Sequence, residues 1–367
     1  MTEKGTKKTL PAKHKPTGDS KADKGFKLSV VVPCYKVEKY LPRCLDSLLS
    51  QSLTELEIVC INDGSPDNCL SILKTYKEKY GERIVIIDKQ NEGVWKARLD
   101  GIQASHGEYI GFLDSDDYVK PGYAKKLYEL AYKFDADIAC CGYDRIDEPT
   151  GKLYSREMTR FKYRSFDIQK NPGLLLEVNT APWNKIFRAS LLKGMQSLDH
   201  IPPALDDMMF AQLIYLNAGL ITFIPDPLIC YMVRSDSIIN NINPSLVPDI
   251  YRSMKELRSV FVRRNRKLLP YLDALAFLHL GISLMYRLYR PGKKDFYRLL
   301  SRNTMVLDRA FPLWRRNRYI KLRYTLSHKG SNLKLLTVRF FYAIRLFPAF
   351  LFIYTAMIKY LKIDMKW

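Results

Sequence analysis

The stretch Tyr109-Ile-Gly-Phe-Leu-Asp-Ser-Asp-Asp-Tyr118 constrains the fold of this chain more than any other. Tyr109 to Leu113 is a short apolar run with the length and composition of a buried strand. It empties into Asp114, Asp116 and Asp117, three carboxylates that no apolar core would accept unpaired. Side chains two apart in extended backbone point the same way, so Asp114 and Asp116 can reach one site together. Two such oxygens beside open coordination positions suit a Mg²⁺ or Mn²⁺ ion that completes its shell with substrate phosphates. In isolation the same residues also suit a solvated acidic turn, and the surrounding sequence has to decide between the two.

From Lys27 onward strands and helices alternate. Leu28–Pro33 reads as a strand, and Leu41, Cys44, Leu45, Leu48 and Leu49 then recur at helical spacing. Leu56–Ile61 is a second strand, broken by Asn62-Asp63-Gly64-Ser65-Pro66, with Asp67 as N-cap of a helix to Tyr80. Ile84–Asp88 is a third strand, a helix follows from about Gly93 to Ser105, and Tyr109–Leu113 is the fourth strand. A helix after Pro121 and a strand at Asp137–Tyr143 continue the series. Repeated βαβ units of this size predict an α/β fold with a mostly parallel sheet flanked by helices on both faces. Ligands of such sheets bind beyond the carboxyl ends of the strands, where Asp63 and the Asp114–Asp116 cluster both fall.

After about Asn240 the texture changes to Leu, Phe and Tyr mixed with Arg and Lys, which predicts helices. The charge is unevenly placed. From Tyr251 onward there are 26 Lys+Arg against 5 Asp+Glu, so this third carries the whole formal charge of +21 and the rest is balanced. Such polarity marks an anionic partner, nucleic acid or a membrane surface. The longest uncharged run, Leu346–Ile358, would make roughly 20 Å of helix, short of the about 30 Å of a bilayer core. It therefore reads as a segment that lies in the membrane interface, with spanning or an ordinary core helix as the alternatives for the stretch 340–363. Seven cysteines without a C-x-x-C pair sit mostly in apolar runs, which predicts reduced, core-filling thiols in a cytoplasmic protein. The five histidines have no metal spacing. Residues 1–26 read as a mildly basic disordered tail without a secretory signal, leaving 27–240 as the sheet-forming domain and 241–367 as a helical, membrane-associating region.

Several motifs in order resemble glycosyltransferase family 2, the inverting enzymes of the GT-A fold. They are Val30-Val-Val-Pro-Cys-Tyr35, Tyr40-Leu-Pro-Arg-Cys-Leu-Asp-Ser-Leu-Leu-Ser-Gln51, Ile61-Asn-Asp-Gly-Ser-Pro-Asp67, Asn91-Glu-Gly93 with Ala97-Arg98, and Phe112-Leu-Asp-Ser-Asp-Asp117. Pro182-Trp-Asn-Lys-Ile-Phe187 and Asp206-Asp207 before Met208-Met-Phe210 extend the resemblance, which covers about residues 28–240. It implies a Rossmann-like GT-A domain acting in bacterial cell-surface polysaccharide or teichoic acid assembly. Three positions depart from the family. Lys36 stands where Asn is usual, Leu99-Asp100 follows the Ala-Arg pair where Asn is usual, and the late acidic pair is Asp-Asp rather than Glu-Asp.

The resemblance implies a nucleotide-sugar donor, a UDP-sugar first, whose diphosphate leaving group gains charge as the glycosidic bond breaks. A divalent ion, Mn²⁺ or Mg²⁺, stabilises that charge without proton transfer. Asp116 is the expected metal ligand, and Asp114 touches the ribose and the metal; Ser115 belongs with the nucleotide contacts. Asp117 is either a helix N-cap or a carboxylate behind the ligands. Asp63 accepts from the uracil N–H, closes an Asx turn, or does both. Pro33 and Tyr35 frame the base. Arg98 closes onto a carboxylate or a phosphate. Trp183 and Lys185 shape the donor-sugar or acceptor side, with a loop-supporting Trp as the other use. Arg234 binds the diphosphate. Single displacement needs a base for the acceptor hydroxyl, and Asp207 takes that position with Asp206 as neighbour or alternative; both could also simply favour the start of a helix.

Two other classes compete. A nucleic-acid-binding protein would use the basic third, but Phe340–Ile358 is too apolar for a solvated nucleic-acid face. A sugar-nucleotide nucleotidyltransferase would want a Gly-rich, basic loop near the N-terminus, which Val31-Val-Pro-Cys-Tyr35 does not supply. The sequence reading is therefore a metal-dependent, inverting hexosyltransferase. It takes a saccharide or lipid-linked acceptor and is held peripherally on the inner face of the cell membrane, with no nucleic-acid partner.

Overall fold

The computed structural model describes residues 25–195, 197–202, 204–234, 243–289 and 294–358. Four parallel strands form its first half: β1 (Leu28–Cys34), β2 (Leu56–Asp63), β3 (Ile84–Lys89) and β4 (Tyr109–Phe112), in the order β3-β2-β1-β4. The helices between them are α1 (Leu41–Leu49), α2 (Cys69–Tyr80) and α3 (Val94–Ala104). β2 is buried along its whole length and β1 almost so, because helices cover both faces; this is why they read as continuous apolar runs. α1 turns Leu41, Cys44, Leu45, Leu48 and Leu49 inward, the positions its spacing predicts. Asp67 sits one residue outside the cap position of α2, where its carboxylate accepts from the Cys69 N–H at 3.1 Å.

Beyond β4 the pairing changes. The further strands are β5 (Tyr118–Val119), β6 (Ile138–Asp147), β7 (Leu153–Glu157), β8 (Ser165–Asp167), β9 (Lys185–Arg188) and β10 (Leu220–Val233). β9 enters antiparallel between β4 and β6, β6 runs parallel to β10, and β5, β7 and β8 attach antiparallel. The expectation of a mostly parallel sheet thus describes the first four strands, and the whole sheet is mixed. An antiparallel strand needs no crossover helix, so β9 can slot in after the excursion over residues 158–184.

Helices divide the hydrophobic interior by face. α1, α2 and α4 (Tyr123–Phe134) cover one face of the sheet. The other carries α3, α5 (Ala189–Lys193) and α6 (Asp206–Tyr215), and against these pack the helices of the C-terminal third. Those are α7 (Val247–Arg264), α8 (Leu269–Ala276), α9 (Met285–Leu288), α10 (Lys294–Ala310), α11 (Leu322–Ser327), α12 (Leu333–Ala343) and α13 (Phe347–Ala356). Phe277–Leu284 is π-helical and joins α8 to α9. One apolar cluster runs from Val31 and Phe112 through Met209 and Phe210 to Phe261, Leu275 and Trp314, so the third part shares the core of the sheet. Fully buried Asp273 of α8 accepts from Arg258 and from the Leu313 N–H, both at 3.0 Å, which ties α7, α8 and the 312–314 turn together.

Arg266–Leu288 is 23 residues long and holds an 18-residue stretch with a mean hydropathy of 1.6, long and apolar enough to cross a membrane. Its most apolar stretch is 78% buried inside the protein, as in a core helix. α13 buries Phe347, Phe350, Leu351 and Tyr354 and exposes Phe352 and Ile353. All seven cysteines are buried and unpaired. The tail up to residue 24 and the end of the 340–363 stretch lie outside the described residues.

Candidate active site

The carboxyl ends of β1, β2 and β4, the start of β9 and the first turn of α6 meet at one edge of the sheet. Leu113 extends the pairing of β4 by donating to Val31 O at 3.0 Å, and the Asp117 N–H then closes a turn onto Asp114 O at 3.0 Å. This turn aims Asp114 and Asp116 outward while Asp117 points in. Asp117 is 1% exposed and accepts from the Met232 N–H of β10 at 2.8 Å. Burial first, then Asp116 and Asp114, push its carboxyl well above the ordinary range. The N-cap use considered for Asp117 is therefore corrected: α4 begins only at Tyr123, and Asp117 anchors the acidic turn to β10.

Two arginines hold Asp116. Arg234 Nη1 lies 3.1 Å from its Oδ2, and Arg43 donates to its backbone carbonyl at 3.0 Å. Arg43 was not among the expected site residues; nothing in an amphipathic helix start marks it, and only the fold brings it to the turn. Arg234 thus rests on a carboxylate.

Arg98 is the hub. Gly101, one turn further along α3, lies so close to β1 that a Cβ would collide with the Val31 side chain, and this close packing brings α3 against the strand. The guanidinium of Arg98, 2% exposed, reaches Asp207 at 2.7 Å, Asp206 at 3.4 Å and Asp114 at 3.4 Å. It also lies over the Phe210 ring, 5.8 Å from the centroid. Burial alone would lower its pKa, and Asp207, Asp114 and Asp206 outweigh that and hold it raised. Of the two uses read from sequence, a carboxylate or a phosphate, the structure places Arg98 on carboxylates. The crowding is felt in return. Burial lifts Asp114 to about 7, with Asp207, Asp116 and Asp206 adding repulsion against the pull of Arg98. Burial, then Asp207, lifts Asp206 to about 6.

Asp206 and Asp207 open α6, where carboxylates favour the helix dipole, so helix starting and site building coincide. Leu205 just before them has φ +65°, a left-handed conformation that a branched side chain adopts at a cost of order 1–3 kcal/mol. That turn swings both carboxylates toward Arg98.

On the nucleotide side, Asp63 is 3% exposed, and its two oxygens accept from the Glu92 and Gly93 N–H groups, each at 2.9 Å. It thus clasps the loop before α3, where Gly93 has φ +87°. Tyr35 is exposed at the end of β1 beside half-buried Pro33, and Ser115 is buried in the acidic turn. The expectation for Lys185 is corrected, and Trp183 takes the loop-supporting one of its two uses. Lys185 is fully buried, and its Nζ donates to Asn179 O, Ala181 O and Asn184 Oδ1 at 2.7–2.8 Å, so its three donors are spent within its own loop. Trp183, 5% exposed, stacks on Tyr231 at 5.3 Å and meets Tyr143 edge-on at 4.7 Å. Both side chains brace the loop into β9. The polar Pro-Trp-Asn-Lys sequence gave no sign that its charge would be consumed by nearby carbonyls.

Among the described residues no group of three His, Cys, Asp or Glu side chains is set to hold a metal ion by itself. The edge instead offers two outward carboxylates, Asp114 and Asp116, each already drawing an arginine.

The family described as Glycosyl transferase family 2 matches residues 29–195. Among curated proteins, the putative glycosyltransferase EpsH of Bacillus subtilis is 28% identical over 292 residues, 76% of this chain and 82% of that protein. Glycosyltransferase GlyG of Streptococcus pneumoniae is 30% identical over 223 residues, 58% of this chain and 72% of that protein. Among solved structures, Staphylococcus aureus TarS 1–349 in complex with UDP-GlcNAc superposes with a TM-score of 0.65 at 21% identity, covering 88% of each chain. TarS is a poly(ribitol-phosphate) beta-N-acetylglucosaminyltransferase, and this chain covers 36% of its full length. The likeness shows the same fold, GT-A with helices after it.

Proposed function

This chain belongs to glycosyltransferase family 2, and from that premise we propose that it transfers a sugar from a UDP-sugar to a saccharide or lipid-linked acceptor by single displacement with inversion. The observation that carries this reading is the convergence on Arg98 of Asp114, at the end of β4, with Asp206 and Asp207, at the start of α6. A carboxylate held beside the acceptor hydroxyl can take its proton as the oxygen attacks. Asp207 has the shortest contact to Arg98, 2.7 Å, which fixes its orientation and keeps it available as a base. Asp206, raised to about 6, is the poorer candidate for a fully ionised group.

The donor's diphosphate would lie along the acidic turn with the base near Tyr35, Pro33 and Asp63. Arg234, now on Asp116, is close enough to exchange that carboxylate for a phosphate oxygen. Asp116, with Asp114 beside it, would hold a Mn²⁺ or Mg²⁺ ion, whose chemistry is to neutralise the leaving group's growing charge. The fit rests on the donor set. Both are hard oxygen ligands, and two carboxylates with the rest of the shell left to phosphates is usual for these ions.

Attachment to the inner face of the cell membrane is the second part of the proposal. Ile344, Arg345 and Leu346 at the α12–α13 corner, with Phe340, Phe352 and Ile353, expose apolar and basic side chains together on the most basic third of the chain. Such a surface suits an anionic leaflet better than nucleic acid. The test of the chemistry is release of UDP from UDP-GlcNAc and related donors in the presence of Mn²⁺. Turnover unchanged in both Asp116→Asn and Asp207→Asn would overturn the assignment.

A further inference from the structure

The chain between α5 and α6 leads directly into Asp206 and Asp207, and side chains from two other helices hold it. The first helix is α3. Trp95, 2% exposed, donates from its indole Nε1 to Ser197 Oγ at 2.8 Å and meets the Phe210 ring of α6 edge-on at 5.3 Å. Arg98, one turn on along the same helix, grips the first turn of α6 through its carboxylates. The second helix is α7, in the C-terminal third, and the side chain is Glu256. Its Oε1 accepts from the Asp199 N–H at 2.6 Å and its Oε2 from the His200 N–H at 3.0 Å. His200 Nδ1 lies 3.2 Å from the same Oε2.

Two successive backbone N–H groups on the two oxygens of one carboxylate fix both the position and the direction of that stretch. Bonds of this charge-assisted kind are roughly twice as strong as neutral ones. Asp199, His200 and Ile201 are themselves exposed, so their place is set by these bonds and by buried Leu198 and Pro202. The chain then reaches Leu205, whose left-handed turn swings Asp206 and Asp207 toward Arg98. A left-handed conformation at a branched residue persists only where its surroundings over-determine it. Trp95 and Glu256, gripping the chain just upstream from two separate helices, supply that constraint.

We propose that Glu256 is a positioning residue for the reaction: by clamping Asp199 and His200 it sets the entry into α6, and with it the aim of Asp207 at the attacking hydroxyl. The inference rests on the glycosyl-transfer reading above, with Asp207 as the base. It gives the C-terminal third a part in the chemistry, separate from its parts in the core and at a membrane. The test is steady-state UDP release from UDP-GlcNAc by the full chain, with Mn²⁺ present and water as acceptor. Glu256→Ala removes both backbone bonds, and because misplacing a reacting group by about 1 Å can cost about a hundredfold, kcat is expected to fall roughly ten- to a hundredfold. KM for the donor should stay within about twofold, since the donor's own contacts are untouched. Glu256→Gln is close in shape and keeps one acceptor oxygen, so it should melt near the parent and lose about three- to tenfold in kcat. The readout specific to positioning is the same pair of substitutions made in Asp207→Asn. With no carboxylate left to aim, either one should change the residual kcat by less than about twofold. A clamp that only supports the fold would lower the rate by the same factor in both backgrounds, or raise KM in step. Either of those results, or a kcat in both Glu256 variants equal to the parent's, would overturn the inference while leaving the proposed reaction standing. No UDP release by the parent would sink the proposed reaction and this inference with it.

Discussion

Asp206 and Asp207 are adjacent in sequence and unequal in place. Asp207 makes the short contact to Arg98, whereas Asp206 makes a longer one and is lifted to about 6 by burial and by its neighbour. If Asp207 is the base, Asp207→Asn should cost about 10²–10⁴ in transfer. UDP should still raise the melting temperature of that variant as it does the parent's. Asp206→Asn should cost far less. The same pair makes a pH prediction. A carboxyl whose folded-state pKa is raised holds its proton in the folded chain where the unfolded chain has lost it. Asp206 and Asp114 therefore favour folding at low pH, and that contribution disappears as pH rises through about 6 and 7. Asp206→Asn should raise the melting temperature by a few degrees at pH 8 and leave it unchanged at pH 4. An equal melting temperature at pH 8 would return Asp206 to an ordinary carboxylate. Lys185→Met belongs at this scale too: it strands three buried neutral acceptors, and leaving a buried acceptor unsatisfied costs about 1–3 kcal/mol. The expected result is a large drop in melting temperature rather than a selective loss of donor binding.

At the scale of elements, the strands and helices up to α4 were legible because each obeys its own local period. Both-face burial makes β1 and β2 uniformly apolar, and one-face burial gives α1 its spacing. The ends were legible where a turn residue announces them, and the acidic turn after β4 could be placed at the sheet's edge on that ground alone. Pairing was not legible past β4. Whether β9 enters parallel or antiparallel depends on contacts between residues almost eighty positions apart, Tyr109 with Arg188, and no local pattern encodes that. For the same reason Lys185 reads as a site residue from a motif yet is absorbed by the 179–184 loop, and Asp117, read as an N-cap or a carboxylate behind the ligands, is held by Met232. The turn after β1 shows the converse. Lys36 has φ +56°, a left-handed position that suits Asn, the residue usual there in the family. Its side chain is exposed and its N–H is held by Ser65 at 2.8 Å, a bond any residue could make. Lys36→Asn should therefore stabilise the fold by about 0.5–1 kcal/mol, read as a higher urea midpoint at unchanged slope. A lower midpoint would mean that the Lys36 ammonium, 5.2 Å from the Tyr35 ring centroid, contributes more than the strain costs.

For the molecule as a whole, the C-terminal third has two tasks that pull in different directions. Its inner side completes the core under the sheet, which explains why the long apolar helix Arg266–Leu288 is buried rather than offered to a bilayer. Its outer side keeps Phe352 and Ile353 of α13 more than half exposed, beside the Ile344-Arg345-Leu346 corner. Exposed apolar side chains on a strongly cationic surface are poorly matched to water and to nucleic acid alike, but an anionic leaflet satisfies both features. Each basic residue near such a surface contributes on the order of 1 kcal/mol, and each large apolar side chain buried in it about 1.5–3 kcal/mol. The full chain should then float with vesicles containing phosphatidylglycerol and not with neutral phosphatidylcholine vesicles, and salt should weaken the attachment only partly because the apolar share is insensitive to screening. Phe352→Glu with Ile353→Glu removes two insertions and adds two repelled charges, so it should leave the protein in the unbound fraction with its donor hydrolysis and melting temperature intact. Flotation of this double variant equal to the parent's would move the attachment off α13. Binding to duplex DNA that survives the double substitution and collapses with salt would favour the nucleic-acid reading instead.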